Sequence, residues 1–342
     1  MLKPHLANAF VLLLCLSAPP CPTNAQHSET HIVAVTVATV DGRAVTSLQS
    51  RNVRVHGRGV QVKSFSLDTS SRRIVLLIDT SGSMGISNGR VTLLEAAAHT
   101  ARLFLDRVPS DDLISIHAFA EKDKEVVPFT HDIGAIRAAI TDLPKPRIED
   151  GRKKGGARTD PENALNSILT ALSERPQFGD AIVIFSDGFF PRSDQGDILS
   201  FYDPPDYLRR VTPRLGTLGI RVFFSLAGRV EGAPPLYGIE RFIGATGAES
   251  FELRDSGPVP YGPNNVYDRP QAPIYRSDSL EQRALALCAA IQDTYRLQLE
   301  FAGPLEKPMP LHLDFVDERG KPLHNVVVLS PESVYPDAGT YR

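Results

Sequence analysis

The sequence predicts an α/β fold in which a doubly wound, mostly parallel sheet is accompanied by a small β-sandwich. Residues 74–78 and 181–185 are two continuous apolar runs, as expected of strands that are buried on both faces. Between them, apolar residues recur every three or four positions, which is typical of amphipathic helices. Strands that alternate with helices form a mostly parallel sheet covered on both faces. The segments before and after this block carry strand patterns, and these predict the β-sandwich.

The chain has the composition of an ordinary globular protein, because 42% of its 342 residues are apolar and 23% are charged. Its formal net charge is −3. A dedicated nucleic-acid-binding protein needs an excess of Lys and Arg to neutralise phosphates. This mildly acidic balance therefore argues against that class of function.

Residues 1–25 are predicted to be a secretory signal peptide. Lys3 supplies the positive charge, residues 10–16 form a short apolar run, and the small residues that end at Ala25 fit a cleavage site. An uncleaved anchor is the alternative interpretation. No later segment approaches the roughly 18 apolar residues that a spanning helix needs. We therefore expect an exported protein, periplasmic or secreted, that does not span the membrane.

Residues 26–71 are predicted to form an N-terminal β segment, with strands at 31–37, 53–55 and 60–65 and Gly-containing turns between them. The α/β block follows over residues 72–256. Its predicted elements after the first buried strand are strands at 113–119, 126–129, 181–185, 219–226 and 250–253, a helix from Leu94 to Val108, a helix around 133–143 and a helix that begins at Asp160-Pro161.

A Pro-rich loop is predicted over residues 257–278, because five Pro and two Gly fall within the 17 residues from 257 to 273. Residues 279–294 are then expected to form the last helix of the block. Asp278 and Glu281 have the spacing of a capping box that would open this helix.

Cys288 lies on the apolar face of that last helix, and we expect it to be a small buried hydrophobe rather than a reactive thiol. Residues 295–342 return to a strand pattern and form a C-terminal β segment. We expect residues 295–342 to pair with residues 26–71 in the β-sandwich.

Polar residues directly follow the two buried strands. Asp79, Ser81 and Ser83 come after the first strand, and Asp187 comes after the second. Ligands of open α/β sheets bind in the crevice beyond the carboxyl ends of the strands. Thr159 precedes a helix that enters this region. Carboxylate and hydroxyl oxygens suit Mg²⁺, Mn²⁺ or Ca²⁺, so the sequence predicts a divalent-metal site at this edge.

Residues 74–84, an apolar strand that ends in Asp-Thr-Ser-Gly-Ser-Met, resemble the first strand and the D-x-S-x-S motif of von Willebrand factor type A domains. Thr159 and the triplet Ser186-Asp187-Gly188 extend the resemblance, which covers roughly residues 72–255. The flanking strands are similar to those of exported bacterial proteins related to this family. The resemblance implies a Rossmann-like sheet. It also implies that the two ends of the α/β block emerge close together, which is the reason to expect that residues 26–71 pair with residues 295–342.

It also implies a metal-ion-dependent adhesion site. In such a site Ser81, Ser83 and Thr159 would contact the metal directly, whereas Asp79 and Asp187 would hold it through water or hydroxyl hydrogen bonds. An acidic side chain of a partner typically completes the octahedron. The expected partner is therefore a protein or a surface that presents a carboxylate.

The sequence departs from the family pattern before Thr159. The family usually has Gly immediately before its Thr, whereas Ala157 and Arg158 separate Thr159 from the Gly155-Gly156 pair. Asp160 is an alternative ligand, although a helix N-cap is its more ordinary role.

These patterns predict an exported, non-enzymatic binding or adhesion protein that uses Mg²⁺, or Mn²⁺ or Ca²⁺, to capture an acidic group. One alternative is a structural module whose metal site is closed or vestigial. Another is an Asp-based phosphotransfer enzyme, but Ser81 stands where haloacid-dehalogenase-type sites have a second Asp. A basic stretch from Lys145 to Arg158 would border the crevice and steer an acidic ligand toward it.

Overall fold

The computed structural model describes residues 28–39, 43–87, 91–120, 122–146, 161–188, 206–227, 237–253 and 274–336. The predicted signal peptide, the basic stretch beyond residue 146, and Thr159 and Asp160 lie outside the described residues. Within the described part of the chain, no helix is both long and apolar enough to cross a membrane.

Fifteen strands and six helices are assigned in the described residues. The strands are β1 (Glu29–Thr39), β2 (Val53–His56), β3 (Val60–Leu67), β4 (Arg73–Asp79), β5 (Leu113–Phe119), β6 (Asp123–Thr130), β7 (Ala181–Ser186), β8 (Arg221–Leu226), β9 (Ser250–Leu253), β10 (Ile274–Ser277), β11 (Thr294–Phe301), β12 (Met309–Pro310), β13 (His312–Phe315), β14 (Val326–Leu329) and β15 (Ser333–Val334). The helices are α1 (Leu93–Leu105), α2 (Ile133–Thr141), α3 (Pro161–Ser173), α4 (Asp206–Leu218), α5 (Tyr237–Ala245) and α6 (Leu280–Gln292).

A seven-stranded sheet forms the centre of the α/β block, in the order β10-β9-β8-β7-β4-β5-β6. All neighbouring strands are parallel except β5 and β6, which form an antiparallel hairpin. β4 lies between β5 and β7, and its Leu76 is paired with Ile116 on one side and Val183 on the other. The continuous apolar runs of β4 and β7 are completely buried, as expected of central parallel strands.

The helices pack in two groups beside this sheet. α1 packs against α2 and α6, whereas α3 packs against α4 and α4 packs against α5. The predicted doubly wound, mostly parallel α/β fold is therefore confirmed.

The strands before and after the α/β block form a second group of sheets, which we call the sandwich. Its four-stranded sheet has the order β14-β1-β11-β3, and the short pairs β2 with β13 and β12 with β15 accompany it. β11 runs antiparallel to both β1 and β3, so a C-terminal strand lies between two N-terminal strands. Phe65 stacks on Tyr295 in the core of the sandwich, with ring centroids 4.2 Å apart.

Arg72 connects the sandwich with the central sheet. Its side chain is fully buried and donates to the carboxylate of Asp68 at 3.0 Å. The same guanidinium donates to the carbonyls of Ile291 at 3.0 Å and Gln292 at 2.7 Å, at the end of α6. This arginine therefore neutralises a buried carboxylate and also satisfies the last carbonyls of a helix.

The C-terminal strands pack closely on the α/β block at two glycines. A Cβ atom at Gly216 of α4 would lie 2.2 Å from Cδ2 of Tyr335, and one at Gly247 would lie 2.4 Å from the backbone nitrogen of Pro331. Gly247 also has a φ of 74°, in the left-handed region that favours glycine. The absence of side chains at these positions lets residues 330–335 lie directly on the block.

Several expectations need correction. The loop predicted over 257–278 ends in a strand, because residues 274–277 form β10 and pair in parallel with β9. The helices α4 and α5 were not predicted. The predicted capping box of Asp278 and Glu281 is wrong: the N-cap of α6 is Ser279, whose hydroxyl accepts from the backbone N–H of Gln282.

Candidate metal centre

The loop after β4 folds around the carboxylate of Asp79. The backbone N–H of Ser81 donates to Oδ1 of Asp79 at 2.8 Å, an Asx-type turn that bends the chain away from the strand. A 3₁₀ turn (Gly82–Gly85) follows, in which Met84 N donates to the carbonyl of Ser81 at 3.1 Å. The loop thereby places Ser83 beside Ser81, with their Oγ atoms 3.1 Å apart.

The end of β7 supplies the second half of the site. The hydroxyl of Ser186 donates to Oδ2 of Asp79 at 2.6 Å, so the carboxyl ends of β4 and β7 are joined directly. Gly188 has a φ of 78°, and its N–H donates to the same hydroxyl at 3.1 Å. The same hydroxyl lies 3.5 Å from Oδ1 of Asp187, so Asp79 and Asp187 lie on either side of Ser186.

The far side of the loop is fixed by the start of α1. Thr92 is the N-cap of this helix, and its hydroxyl accepts from the N–H of Glu95 at 3.1 Å while Glu95 accepts from the N–H of Thr92 at 2.7 Å. Leu93 N also donates to the carbonyl of Ile86 at 3.0 Å. The loop that carries the two serines is therefore held between a buried strand and a capped helix.

The site buries two carboxylates next to each other. The Asp79 side chain has no exposed surface, and Ser81 and Asp187 are also buried, whereas Ser83 is partly exposed. Burial is the largest cause that raises the pKa of Asp79, to about 6; the nearby Asp187 raises it further, and the hydrogen bonds from Ser186 and Ser81 oppose the shift.

The donor set fits a hard divalent cation. Two buried carboxylates lie beside the Ser81–Ser83 hydroxyl pair, and oxygen ligands of this kind suit Mg²⁺, Mn²⁺ or Ca²⁺. The described residues hold no group of three or more His, Cys, Asp or Glu side chains that could bind a metal ion. A cation at this place would consequently depend on hydroxyl oxygens as well as on the two aspartates.

Four of the five predicted site residues thus lie at one edge of the sheet, and they are Asp79, Ser81, Ser83 and Asp187. The fifth, Thr159, and its alternative Asp160 lie outside the described residues. Sequence reasoning did not give Ser186 a role, although it is the residue that connects the two strands. Its position immediately before Asp187 at the end of a buried strand was the signal that could have found it.

Residues 74–189 match the family model of the von Willebrand factor type A domain. No curated protein sequence gives a significant match. Among solved structures, the chain is similar to a von Willebrand factor type A protein from Catenulispora acidiphila, with 12% identity, 92% of this chain and 75% of that chain covered, and a TM-score of 0.45.

Two Bacteroides structures are also similar to the chain. The conserved hypothetical protein BatB from Bacteroides thetaiotaomicron has 18% identity over 47% of this chain and 69% of its own, with a TM-score of 0.33. An aerotolerance-related membrane protein from Bacteroides fragilis has 17% identity over 64% of this chain and 98% of its own, with a TM-score of 0.41. At these values, neither structure bears on the function of this chain.

Proposed function

Because residues 74–189 belong to the von Willebrand factor type A family, we propose that this type A domain binds a divalent cation and captures a carboxylate of a partner through it. The observation that carries the proposal is the pair of buried carboxylates, Asp79 and Asp187, beside the hydroxyls of Ser81 and Ser83. Two adjacent buried carboxylates are costly to ionise. A divalent ion bound beside them would lower that cost.

The role of each residue toward the ion would be the one that the family resemblance implies. Ser81, Ser83 and Thr159 would contact the ion, and Asp79 and Asp187 would hold it through water or hydroxyl hydrogen bonds. Ser186 would keep Asp79 in place, since its hydroxyl already donates to that carboxylate at 2.6 Å. The bound ion would supply a coordination position for a carboxylate oxygen of the partner.

We propose binding without turnover, by an exported protein. The site offers two carboxylates and serine hydroxyls, and the described residues bring no His or Cys side chain into hydrogen-bonding contact with them. Ser81 also stands where an Asp-based phosphotransfer site of the haloacid-dehalogenase type has its second Asp. Export follows from the predicted signal peptide, and an acidic partner follows from the positive charge that the ion would provide.

Metal-dependent thermal stability tests this proposal. The metal-stripped protein would be melted with and without Mg²⁺, Mn²⁺ and Ca²⁺, beside the isosteric variant Asp79→Asn. A cation at about a hundred times its dissociation constant adds roughly 2.7 kcal/mol to the free energy of unfolding. We expect the wild-type melting temperature to rise and that of Asp79→Asn to stay constant.

Asp111→Ala is the matched control, because Asp111 is an exposed acid just before β5, at the opposite edge of the same sheet. It should respond to the metal as the wild type does. A wild type that gains no stability from any of the three cations would contradict the proposed site.

The binding role and a purely structural metal site differ in whether a coordination position is open. Water-proton relaxation with bound Mn²⁺ measures this directly, because an open position carries exchanging water. We expect enhanced relaxation that falls when acetate is added as a simple carboxylate. Bound Mn²⁺ without exchangeable water would instead assign the ion a structural role.

A further inference from the structure

One edge of β1 is only partly paired. β11 pairs with the eight residues from Glu29 to Thr36 on one edge, whereas β14 pairs with only Thr36 to Thr39 on the other. Among the described residues, no strand is paired with residues 29–35 on the β14 side. The four-stranded sheet of the sandwich therefore has a gap of about seven residues along its β1 edge.

The backbone groups at this gap belong to Thr30, Ile32 and Ala34. Val45 N donates to the carbonyl of Val37 at 2.8 Å, and this contact lies on the β11 side because β14 occupies the other edge there. Backbone groups alternate between the two edges of a strand, and the register of β1 with β11 is continuous. The N–H and C=O groups of these three residues therefore point into the gap, where no backbone group of the described chain bonds to them.

β14 leaves this edge because of the residues that come after it. Pro331 has no N–H to offer a ladder, and it forms a bridge with Thr246 of the type A domain instead. The backbone nitrogen of Pro331 lies so close to Gly247 that a Cβ atom there would clash with it. The chain is thereby drawn away from β1 and runs on through β15, which pairs with β12.

A groove remains between β1 and this displaced segment. It is lined by residues 30–34 of β1, by residues 215–217 at the end of α4, by residues 219–221, by Thr246, and by Pro331, Ser333, Val334 and Tyr335. The groove has a volume of about 260 Å³. Ile32 is 40% exposed beside it. Apart from His31 and Arg221, both of which are buried, its lining residues are uncharged.

Edge strands are normally protected by charged side chains, Pro and bulges. From Thr30 to Ala34 the open edge has no Pro, no Lys, Arg, Asp or Glu and no register shift. The edge strand of the central sheet has them, since β6 contains Lys124, Glu125 and Pro128 and pairs with β5 through register shifts. The gap side of β1 presents Thr30, Ile32 and Ala34 in a continuous register.

We infer that this groove binds an extended, uncharged segment of a partner protein, which adds to β1 as a strand. Three backbone N–H and C=O pairs at strand spacing provide the main-chain hydrogen bonds of β-strand addition. The edge lines one groove together with the end of α4 and with Pro331 and Tyr335, so a single extended segment fits it better than the edge of a second folded copy. This site is separate from the metal centre, because it lies at the amino ends of the central strands, where β8 begins at Arg221.

Amide hydrogen exchange tests the inference on the full chain. The probe is the capped peptide acetyl-Thr-Val-Thr-Val-Thr-amide at millimolar concentration, and the same peptide with N-methylated alternate residues is its control. In the free protein, the amides of Thr30, Ile32 and Ala34 should exchange faster than those of His31 and Val33, which face β11. The unmodified peptide should slow the first three by about tenfold or more and leave the other two unchanged.

Two variants test whether the protection of these amides depends on peptide bound in the groove. Ile32→Pro removes an edge N–H that β1 does not use in its ladder, and Thr217→Trp narrows the groove from α4 without changing β1. Both should abolish the protection, whereas Ile32→Thr, which keeps the N–H, should retain it. Thr217→Trp keeps the test valid if Ile32→Pro unfolds the sandwich.

Three results would overturn the inference. One is fast exchange at all three amides that the peptide does not slow. Another is slow exchange of these amides in the free protein at every concentration, which would mean that the chain covers its own edge. The third is protection that grows with protein concentration in the absence of peptide, which would assign the edge to a second copy.

Discussion

The hydroxyl of Ser186 donates a 2.6 Å hydrogen bond to Oδ2 of Asp79, across the ends of two neighbouring parallel strands. The other oxygen of the same carboxylate accepts from the backbone N–H of Ser81 at 2.8 Å. Both oxygens are thus fixed before any ligand arrives. A carboxylate held in this way needs no reorganisation when it binds a cation.

The buried Asp79 should make the metal-free protein less stable as the pH rises. Its pKa is about 6 in the folded protein, compared with 3.8 for an unperturbed Asp. The folded state therefore holds the proton more tightly, and this contribution to stability is complete below pH 4 and is lost as the pH rises through 6. We expect the wild type to lose about 3 kcal/mol relative to Asp79→Asn between pH 3.5 and 7.5.

Chemical denaturation in metal-stripped buffer at several pH values measures this difference. Because Asp79→Asn keeps every other titrating group, subtraction isolates the contribution of one carboxyl. A difference that does not change with pH would show that Asp79 is ionised as easily in the folded protein as in the unfolded chain.

Arg72 should be far more important for stability than a surface arginine. Replacing it by Met leaves the buried carboxylate of Asp68 without its closest cation and removes one donor from each of the carbonyls of Ile291 and Gln292. Breaking a buried ion pair costs about 3–5 kcal/mol. Arg51→Met is the matched control, since its pair with Glu318 is exposed and should contribute less than about 1 kcal/mol. Urea denaturation of both variants would be compared, and equal losses would contradict the assigned role.

Gly216→Ala should destabilise the protein, although Gly to Ala in a helix normally stabilises it by about 1 kcal/mol. The new methyl group would overlap the ring of Tyr335, and overpacking of this kind typically costs about 1–3 kcal/mol. Tyr335→Ala should remove the conflict, so that Gly216→Ala becomes stabilising in the Tyr335→Ala background. A double-mutant cycle of thermal unfolding measures this change of sign, and additive effects would mean that the two residues do not touch.

Cys288 should resist thiol reagents until the protein unfolds. It is buried in α6, and burial raises the pKa of its thiol to about 12. The reactive thiolate is therefore absent at neutral pH. Mass spectrometry after brief iodoacetamide treatment, read at the peptide that contains Cys288, should show modification only in denaturant. Labelling in native buffer would reveal opening of α6.

Deletion of residues 295–342 should unfold the N-terminal strands. β11 pairs with β1 on one edge and with β3 on the other, and β14 pairs with the end of β1. Isolated strands do not keep their structure without partners. We expect the amides of Val33 and Val35 to lose their protection from exchange in the truncated protein, and persistent protection would contradict the pairing.

The central sheet could be predicted from the sequence because its strands are buried on both faces. A run such as Ile74 to Ile78 is apolar without interruption, and few other structures explain that pattern. α4 and β10 were missed for the opposite reason. α4 contains Arg and Pro213 within a short amphipathic pattern, and β10 directly follows a Pro-rich stretch. Its pairing with β9 is a tertiary contact that local sequence does not record.

The candidate site was predictable at the positions where a metal-binding side chain directly follows a buried strand. Asp79 and Asp187 stand directly at the ends of buried strands, so topology alone brings them together. The role of Ser186 depends on a contact across two strands, between residues 107 positions apart. The gap beside β1 was not predictable at all, because it results from where β14 departs rather than from a motif in β1.

The path of the chain through the sandwich determines where the α/β block can be deleted from this protein. Leu67 is paired with Tyr295, and Asp68 N donates to the carbonyl of Thr294 at 2.8 Å. The whole α/β block thus leaves and re-enters between two neighbouring strands, as a cassette inserted in a hairpin. A short turn in place of residues 69–293 would close the host hairpin. The excised block would have its two termini side by side.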